Sequence, residues 1–117
     1  MAEKTISSSV KVSRKLNEQV SIQVIKDGFG MRGKNRWIIE AVKDFLQLPD
    51  FISLVELASD VENLSKPVSI RLPIELVKEM DIAVLKIRKQ YPLLEGVQSH
   101  LIRASMLQKM IRSPNKE

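Results

Sequence analysis

The chain has 117 residues, enough for one small domain or for two very small units that share a core. A hydrophobic fraction of 44% with 28% charged residues is typical of a folded globular protein, and the absence of cysteine excludes a disulfide scaffold and a thiolate-bound zinc site. The net charge is +5, but residues 47–65 contain four acidic and no basic residues, so the rest of the chain carries +9. A basic body of this kind favours a polyanionic partner, most often nucleic acid.

The first predicted element is a strand near the N-terminus. Val10 and Val12 alternate with Ser9, Lys11 and Ser13, which is the period of two that a half-buried strand shows. We therefore expect the two valines to face a core and the three polar residues to face outwards.

Two helices are predicted after this strand. The apolar stripe of the first comprises Leu16, Val20 and Val24. Residues 19–24 also alternate strictly, as in a strand, but we prefer the helix because the three apolar residues share one of its faces. The glycine-rich stretch at 28–33 ends this helix, and the second helix runs to Pro49. The buried stripe of the second helix comprises Ile38, Ala41, Val42 and Phe45.

An acidic spacer follows at residues 49–65, where a short helix is predicted. Its apolar positions are Leu54, Ala58, Val61 and Leu64. A second strand comes next, in which three apolar residues alternate with Ser69 and Arg71. Pro73 ends this strand, because proline has no N–H for a ladder but fits the first turn of a helix.

Two more helices complete the chain, separated by a break at residues 90–96. Their apolar stripes are Leu76, Met80, Val84 and Ile87, then Val97, Leu101, Ala104 and Leu107. Both halves of the chain are thus predicted to consist of a strand and two helices, with a turn that is five residues longer in the second half.

Neither half has enough apolar surface to bury a core alone. We therefore expect the two strands to pair antiparallel as a ribbon, with four helices packed beneath it. The inward side chains of this ribbon are expected to be Val10, Val12, Val68, Ile70 and Leu72. No other predicted element covers the opposite face of the ribbon.

The strand and helix starts of the second half resemble those of the ribbon-helix-helix (MetJ/Arc) family of DNA-binding proteins. PVSIRLP followed by EL is similar to the strand-to-helix entry of that family, and EGVQSHLIRASM is similar to the start of its second helix. Two unlike copies in one chain resemble the tandem variety represented by TraY. The first half departs from the pattern at Arg14, where an inward apolar residue is expected, and at Lys15, which replaces the proline.

The resemblance covers residues 8–48 and 66–112. It implies a mainly α fold with a two-stranded antiparallel ribbon, in which tandem ribbon-helix-helix motifs follow the order β-α-α, linker helix, β-α-α. The first motif spans residues 8–48, the acidic helical spacer 49–65 and the second motif 66–112, and the two motifs are expected to form one pseudo-symmetric unit.

The resemblance also implies that the ribbon lies in the major groove of double-stranded DNA, where outward side chains reach base edges. The residues expected to read bases are Ser9, Lys11, Ser13, Ser69 and Arg71. The starts of the second helices are expected to hold phosphates through free N–H groups and the positive end of the helix. The residues expected at these phosphate sites are Arg32, Gly33, Lys34, Asn35 and Arg36 in the first half, and Gly96, Val97, Gln98 and Ser99 in the second.

We therefore expect a sequence-specific DNA-binding protein, in the first place a transcriptional repressor, located in the cytoplasm on the nucleoid. One alternative is an accessory DNA-binding protein of a plasmid or mobile element, acting in a conjugative relaxosome or in partition. Another is a protein-interaction module that uses the acidic spacer helix. Copies are expected to self-associate along DNA or to exchange strands as dimers. The longest apolar runs are too short to span a bilayer, so no membrane association is expected.

Other kinds of chemistry have weak support. GFGMRG at 28–33 matches G-x-G-x-x-G, but too little chain follows for a parallel sheet, so we interpret its glycines as a helix end and a turn. His100 is the only histidine, so we expect no metal site, and we interpret Trp37 as a core or interface aromatic. No catalytic arrangement is present at useful spacing, and we predict neither enzyme activity nor a cofactor.

Overall fold

The computed structural model describes residues 4–57 and 64–112. Within these ranges the chain is mostly helical, with two strands and five helices. In chain order the elements are β1 (Thr5–Val12), α1 (Arg14–Lys26), α2 (Lys34–Leu46), α3 (Phe51–Leu57), β2 (Lys66–Pro73), α4 (Ile74–Gln90) and α5 (Val97–Ile111). A strand followed by two helices therefore occurs twice, with α3 between the two sets.

β1 and β2 pair antiparallel as a two-stranded ribbon. Ser9 lies opposite Ser69 at its centre, and the register extends to Thr5 opposite Pro73 at one end. The inward residues are buried as predicted: Val10, Val12, Val68, Ile70 and Leu72. Because successive side chains of a strand point to opposite faces, the polar residues between them lie together on the other face.

The first strand differs from the prediction at both ends. β1 begins at Thr5, before the predicted start at residue 8, and it ends at Val12. Ser13 is the N-cap of α1, where its hydroxyl oxygen accepts a hydrogen bond from the backbone N–H of Leu16 at 3.0 Å. A serine in this position satisfies one of the free N–H groups of a helix start. The prediction that Ser13 continues the outward face of the strand is therefore wrong.

The first two helices form as predicted. α1 is a helix rather than the competing strand, and its stripe of Leu16, Val20 and Val24 is buried. The predicted stripe of α2 is buried as well. Trp37 is also fully buried, and its Nε1 donates a hydrogen bond to Oδ2 of Asp27 at 2.8 Å. The interpretation of Trp37 as a core aromatic is thus confirmed.

α5 lies at the centre of the molecule. The six consecutive residues 101–106 are all buried, because α2 packs along this helix and α1, α3, α4 and β1 contact it as well. Most of the stripes predicted for α4 and α5 are buried, but Val84 and Leu107 are only partly so. On α4 the core position between Met80 and Ile87 is filled by Ala83 instead.

α3 is the helix of the acidic spacer within the described residues. Val55 is fully buried, and the ring of Phe51 lies 6.1 Å from the ring of Phe45, centroid to centroid. The predicted core position Leu54 is only partly buried, so the buried side of this helix is centred one residue later than expected. The predicted positions Ala58 and Val61 lie outside the described residues.

Residues that are 60 apart occupy equivalent places in the two sets. α1 begins at Arg14 and α4 at Ile74, and the central pair of the ribbon, Ser9 and Ser69, has the same separation. The ribbon therefore has an approximate two-fold axis through this pair, which relates β1 residues to the β2 residues 60 positions later. The proline position of the second set corresponds to Ser13, not to Lys15, so the predicted alignment of the halves was two residues out of register.

The helix pair α4–α5 spans more residues than the pair α1–α2, and the prediction that a longer turn accounts for this was wrong. α4 has 17 residues against 13 in α1, whereas the turn of the second set, 91–96, is one residue shorter than the turn 27–33. The extra length is one helical turn and not a longer loop. Two of the three glycines of the first turn, Gly28 and Gly30, have positive φ, as expected of a turn.

Candidate functional site

The solvent-facing side of the ribbon carries a row of exposed polar residues. Four of the predicted base-reading residues lie in this row: Ser9, Lys11, Ser69 and Arg71. Lys11 lies opposite Pro67 near one end, and Arg71 lies opposite Ser7 near the other. The approximate two-fold axis relates the two cations, so each half of the ribbon presents one positive charge.

Sequence reasoning missed Ser7, which is exposed on this face beside Arg71. The signal was present, because Thr5, Ser7, Ser9 and Lys11 continue the same alternation towards the N-terminus. The strand was started too late because Ser8, on the inward face, is polar and gives no apolar contrast there.

Asn35 joins the start of α2 to the outer edge of β2. Its side-chain oxygen accepts from the backbone N–H of Arg71 at 2.7 Å, and its side-chain nitrogen donates to the carbonyl oxygen of Arg71 at 3.0 Å. An edge strand has unpaired backbone groups at alternate residues, and the amide of Asn35 satisfies both groups of one residue. The predicted phosphate ligand Asn35 therefore has its side chain occupied in positioning Arg71, and only its backbone N–H is left for an anion.

Lys34 is also turned away from the predicted phosphate position. Its ammonium group donates hydrogen bonds to Oδ1 of Asn17 and, at 3.4 Å, to Oγ of Ser21, so it links α2 to α1. Burial lowers the pKa of Lys34, and the nearby charge of Lys66 lowers it further. Arg32 and Arg36, by contrast, are exposed. The basic cluster at the start of α2 thus divides into a structural lysine and two solvent-facing arginines.

Both second helices begin at a glycine that provides no side-chain cap. Gly33 precedes α2 and Gly96 precedes α5, and neither helix start has a capping hydrogen bond from a side chain. The first N–H groups of an α-helix have no partner within the helix, so an anion finds donors there. Gly96 has φ 60° and ψ 40°, the left-handed conformation that glycine adopts easily.

The start of α5 and the ribbon face meet in an open groove of about 880 Å³. Its lining includes Lys11 and Ser9 from β1, and Gly96, Ser99, His100 and Arg103 from the region of α5. Residues predicted to read bases in the first half, Ser9 and Lys11, thus share one concave surface with residues predicted to bind phosphate in the second half, Gly96 and Ser99. Of the remaining predicted residues, Gln98 is exposed, whereas the side chain of Val97 is buried in the core.

Arg103 lies beneath this groove and was not predicted. It is only 3% exposed, and its Nη1 donates a hydrogen bond to the carbonyl oxygen of Lys11 at 2.9 Å. This contact mirrors the one between Asn35 and Arg71, since each second helix holds the strand that carries the cation of the other half. Burial lowers the pKa of Arg103. The signal for Arg103 in the sequence is a single charge within the otherwise uncharged run LIRASM.

His100 lies one turn before Arg103 and is half-buried. Its Nδ1 is buried without a hydrogen-bond partner among the described residues, and the same is true of Nε of Arg103. Burial lowers the pKa of His100, and the charge of Arg103 lowers it further, so the imidazole is neutral near pH 7. A phosphate that entered the groove would meet both the buried guanidinium group of Arg103 and the neutral imidazole of His100.

Within residues 4–57 and 64–112, no group of three or more histidine and carboxylate side chains is arranged to hold a metal ion. In the same ranges, none of the helices is long and apolar enough to cross a membrane. No family model matches this chain, and comparison with curated proteins and with solved structures finds no significant match.

Proposed function

We propose that this chain is a tandem ribbon-helix-helix protein that binds double-stranded DNA with sequence specificity and regulates transcription. One observation carries the proposal: the uncovered ribbon face has a cation near each end, and an uncapped helix start lies beside the ribbon in each half. A two-stranded ribbon fits the width of the major groove, and its free face is the side that would meet base edges.

The spacing of the two cations suggests the length of the site. Lys11 and Arg71 belong to residue pairs four positions apart along the ribbon, which is about 13 Å. That distance corresponds to about four base-pair steps of B-DNA. Arginine pairs with O6 and N7 of guanine through two hydrogen bonds, and lysine donates to the same atoms. We therefore expect a guanine near each end of the contacted stretch, on opposite strands.

The operator should nevertheless be asymmetric. The side chain of Asn35 fixes the backbone of Arg71 through hydrogen bonds to both its N–H and its carbonyl oxygen, and Ser7 lies opposite Arg71. Lys11 is held only at its carbonyl oxygen, and Pro67, which has no hydrogen-bond donor, lies opposite it. Guanine recognition should accordingly be stricter at the Arg71 end.

Phosphate contacts are assigned to the starts of α2 and α5. At α2 the donors are the free backbone N–H groups together with the exposed Arg32 and Arg36. At α5 the donors are the backbone N–H groups after Gly96. The first site should therefore contribute more to the dependence of affinity on salt, because each neutralised phosphate releases counterions.

The test is selection of bound sequences from random duplex DNA, followed by fluorescence anisotropy titrations of the selected duplex at two salt concentrations. Arg71→Ala should lose about 1–3 kcal/mol of discrimination at one base position and little affinity for random DNA. Lys43→Ala is the matched control, because Lys43 is an exposed cation in the last turn of α2, away from the ribbon. Equal effects of the two substitutions on specificity would refute the ribbon as the reader of bases.

The same selection separates the alternatives within DNA binding. Selected motifs in promoters would indicate a transcriptional regulator, and motifs at a transfer origin or partition locus would indicate an accessory protein of a plasmid. Absence of DNA binding at low salt would reject both and leave a protein-interaction module.

A further inference from the structure

Two pairs of large aliphatic side chains are exposed on helices that take no part in the proposed DNA contact. Ile22 and Ile25 on α1 are 55% and 56% exposed, and Ile82 and Leu85 on α4 are 57% and 61% exposed. Each pair is spaced i, i+3 and so lies on one face of its helix. The pairs are 60 residues apart, which is also the separation between the starts of α1 and α4.

The exposed apolar face of α1 borders a groove. Beside Ile22 there is an open groove of about 340 Å³ between α1 and the end of α5, which is lined by Gln19, Ile22, Lys26, Leu107, Met110 and Ile111 among others. We call this the α1 groove. Ile82 and Leu85 are the exposed pair on α4, and we call them the α4 ridge.

The charges around the two faces match when α1 of one copy lies antiparallel to α4 of another. Ile22 and Leu85 each have a charged residue four positions before and after them, and all four of these residues are exposed: Glu18, Lys26, Asp81 and Lys89. If Ile22 lies opposite Leu85, then Ile25 lies opposite Ile82. The same register sets Glu18 opposite Lys89 and Lys26 opposite Asp81.

Pairing of identical helices matches less well. The corresponding antiparallel contact between two α4 helices sets Lys78 opposite Lys89, which is repulsive, and Asp81 opposite Lys86, which is attractive, so the charges of this contact cancel. Two α1 helices would set Lys26 opposite Ser21, without an ion pair. The heterotypic contact between α1 and α4 is therefore the favoured one.

We infer that copies of this chain associate head to tail, with the α4 ridge of one copy in the α1 groove of the next. Such a contact uses two different surfaces, so each added copy leaves a free ridge and a free groove, and an open row forms. The apolar area is small, so association is weak and is favoured at high concentration and low salt. This inference does not depend on DNA binding.

The experiment is sedimentation equilibrium of the full chain at low salt over concentrations up to about 1 mM, at which a contact with a Kd of about 1 mM is about 40% occupied. The weight-average mass should rise past twice the monomer mass of 13.3 kDa. Ile22→Glu and Leu85→Glu should each abolish this rise. Met31→Glu is the matched control, since Met31 is 90% exposed in the turn before α2 and should leave association unchanged.

Mixing the two variants tests the direction of the contact. Ile22→Glu retains the ridge and Leu85→Glu retains the groove, so an equimolar mixture should form 1:1 dimers and nothing larger. As a control for folding, the circular dichroism spectra of both variants should match that of the wild type. A wild-type chain that stays monomeric, a mixture that stays monomeric, or a Leu85→Glu variant that dimerises by itself would each overturn the inference.

Discussion

Substitution of Gly33 by alanine tests whether the start of α2 is set by close packing against the preceding turn. Gly33 is buried and has φ −92°, which any residue can adopt, so backbone strain is not the reason for glycine here. A Cβ atom at this position would lie 2.2 Å from the carbonyl oxygen and 2.5 Å from the Cβ of Phe29. Ordinary contacts need about 1 Å more, so the turn must move.

The expected loss of stability follows from that collision. Displacing packed atoms typically costs about 1–3 kcal/mol, and the turn resists movement because Phe29 N–H and Gly33 N–H donate to the carbonyl oxygens of Val24 and Gly30. Alanine also restricts the unfolded chain, which offsets about 0.5 kcal/mol. We expect Gly33→Ala to lower the free energy of unfolding by about 2 kcal/mol and the Tm by about 10 °C.

Urea unfolding followed by circular dichroism measures this change, with Gly96 as the control. An added Cβ at Gly96 meets nothing within 4 Å, but φ is +60°, so alanine there suffers only backbone strain of about 1 kcal/mol. Asparagine tolerates this conformation, so Gly96→Asn should be close to wild type, whereas Gly33→Asn should be no milder than Gly33→Ala. The packing argument would be refuted if Gly33→Ala were as stable as the wild type, because without the collision alanine would only restrict the unfolded chain.

Three further substitutions test individual contacts. Asn35→Ala should lower the free energy of unfolding by about 1 kcal/mol, because the released backbone groups of Arg71 become hydrated, and faster hydrogen exchange of the Arg71 amide in NMR spectra would locate the effect. Ser13→Ala should cost about 1 kcal/mol and Ser13→Gly only a few tenths, because only alanine disfavours the cap position; equal losses in urea titrations would contradict the capping role. His100 is expected to make stability depend on pH: its pKa is lowered in the folded chain from 6.5, so the unfolded chain binds the proton more tightly, and stability falls as the pH decreases through 6.5. His100→Gln should remove this contribution. In urea unfolding, the stability of the variant relative to the wild type should therefore increase from pH 7.5 to pH 5. A relative stability that does not change with pH would contradict burial as the cause.

The two outer edges of the ribbon are held by unlike contacts. Asn35 holds two backbone groups of one strand and Arg103 holds one group of the other. The proposed reader is therefore anchored more firmly in its second strand, although the two halves share the same order of elements.

Local patterns in the sequence determined where the elements lie and which faces are buried. Alternation identified Val10, Val12 and the apolar residues of β2 as the inner face of a ribbon, since a period of two sorts side chains by face whatever the partner strand is. Spacing of three and four residues placed the stripes of α1 and α2 correctly for the same reason. The end of β1 was missed because a serine fits both an exposed strand position and a helix cap, and only the hydrogen bond to Leu16 decides between them.

The tertiary structure alone decided which predicted site residues have hydrogen-bond partners within the chain. Asn35 contacts Arg71 across 36 residues, and Arg103 contacts Lys11 across 92. Such contacts depend on which helix start packs against which strand, and neither propensity nor periodicity contains that information. Lys34 and Arg36 are likewise two cations of one cluster, yet Lys34 donates to Asn17 on α1 whereas Arg36 is exposed, because only Lys34 lies against α1.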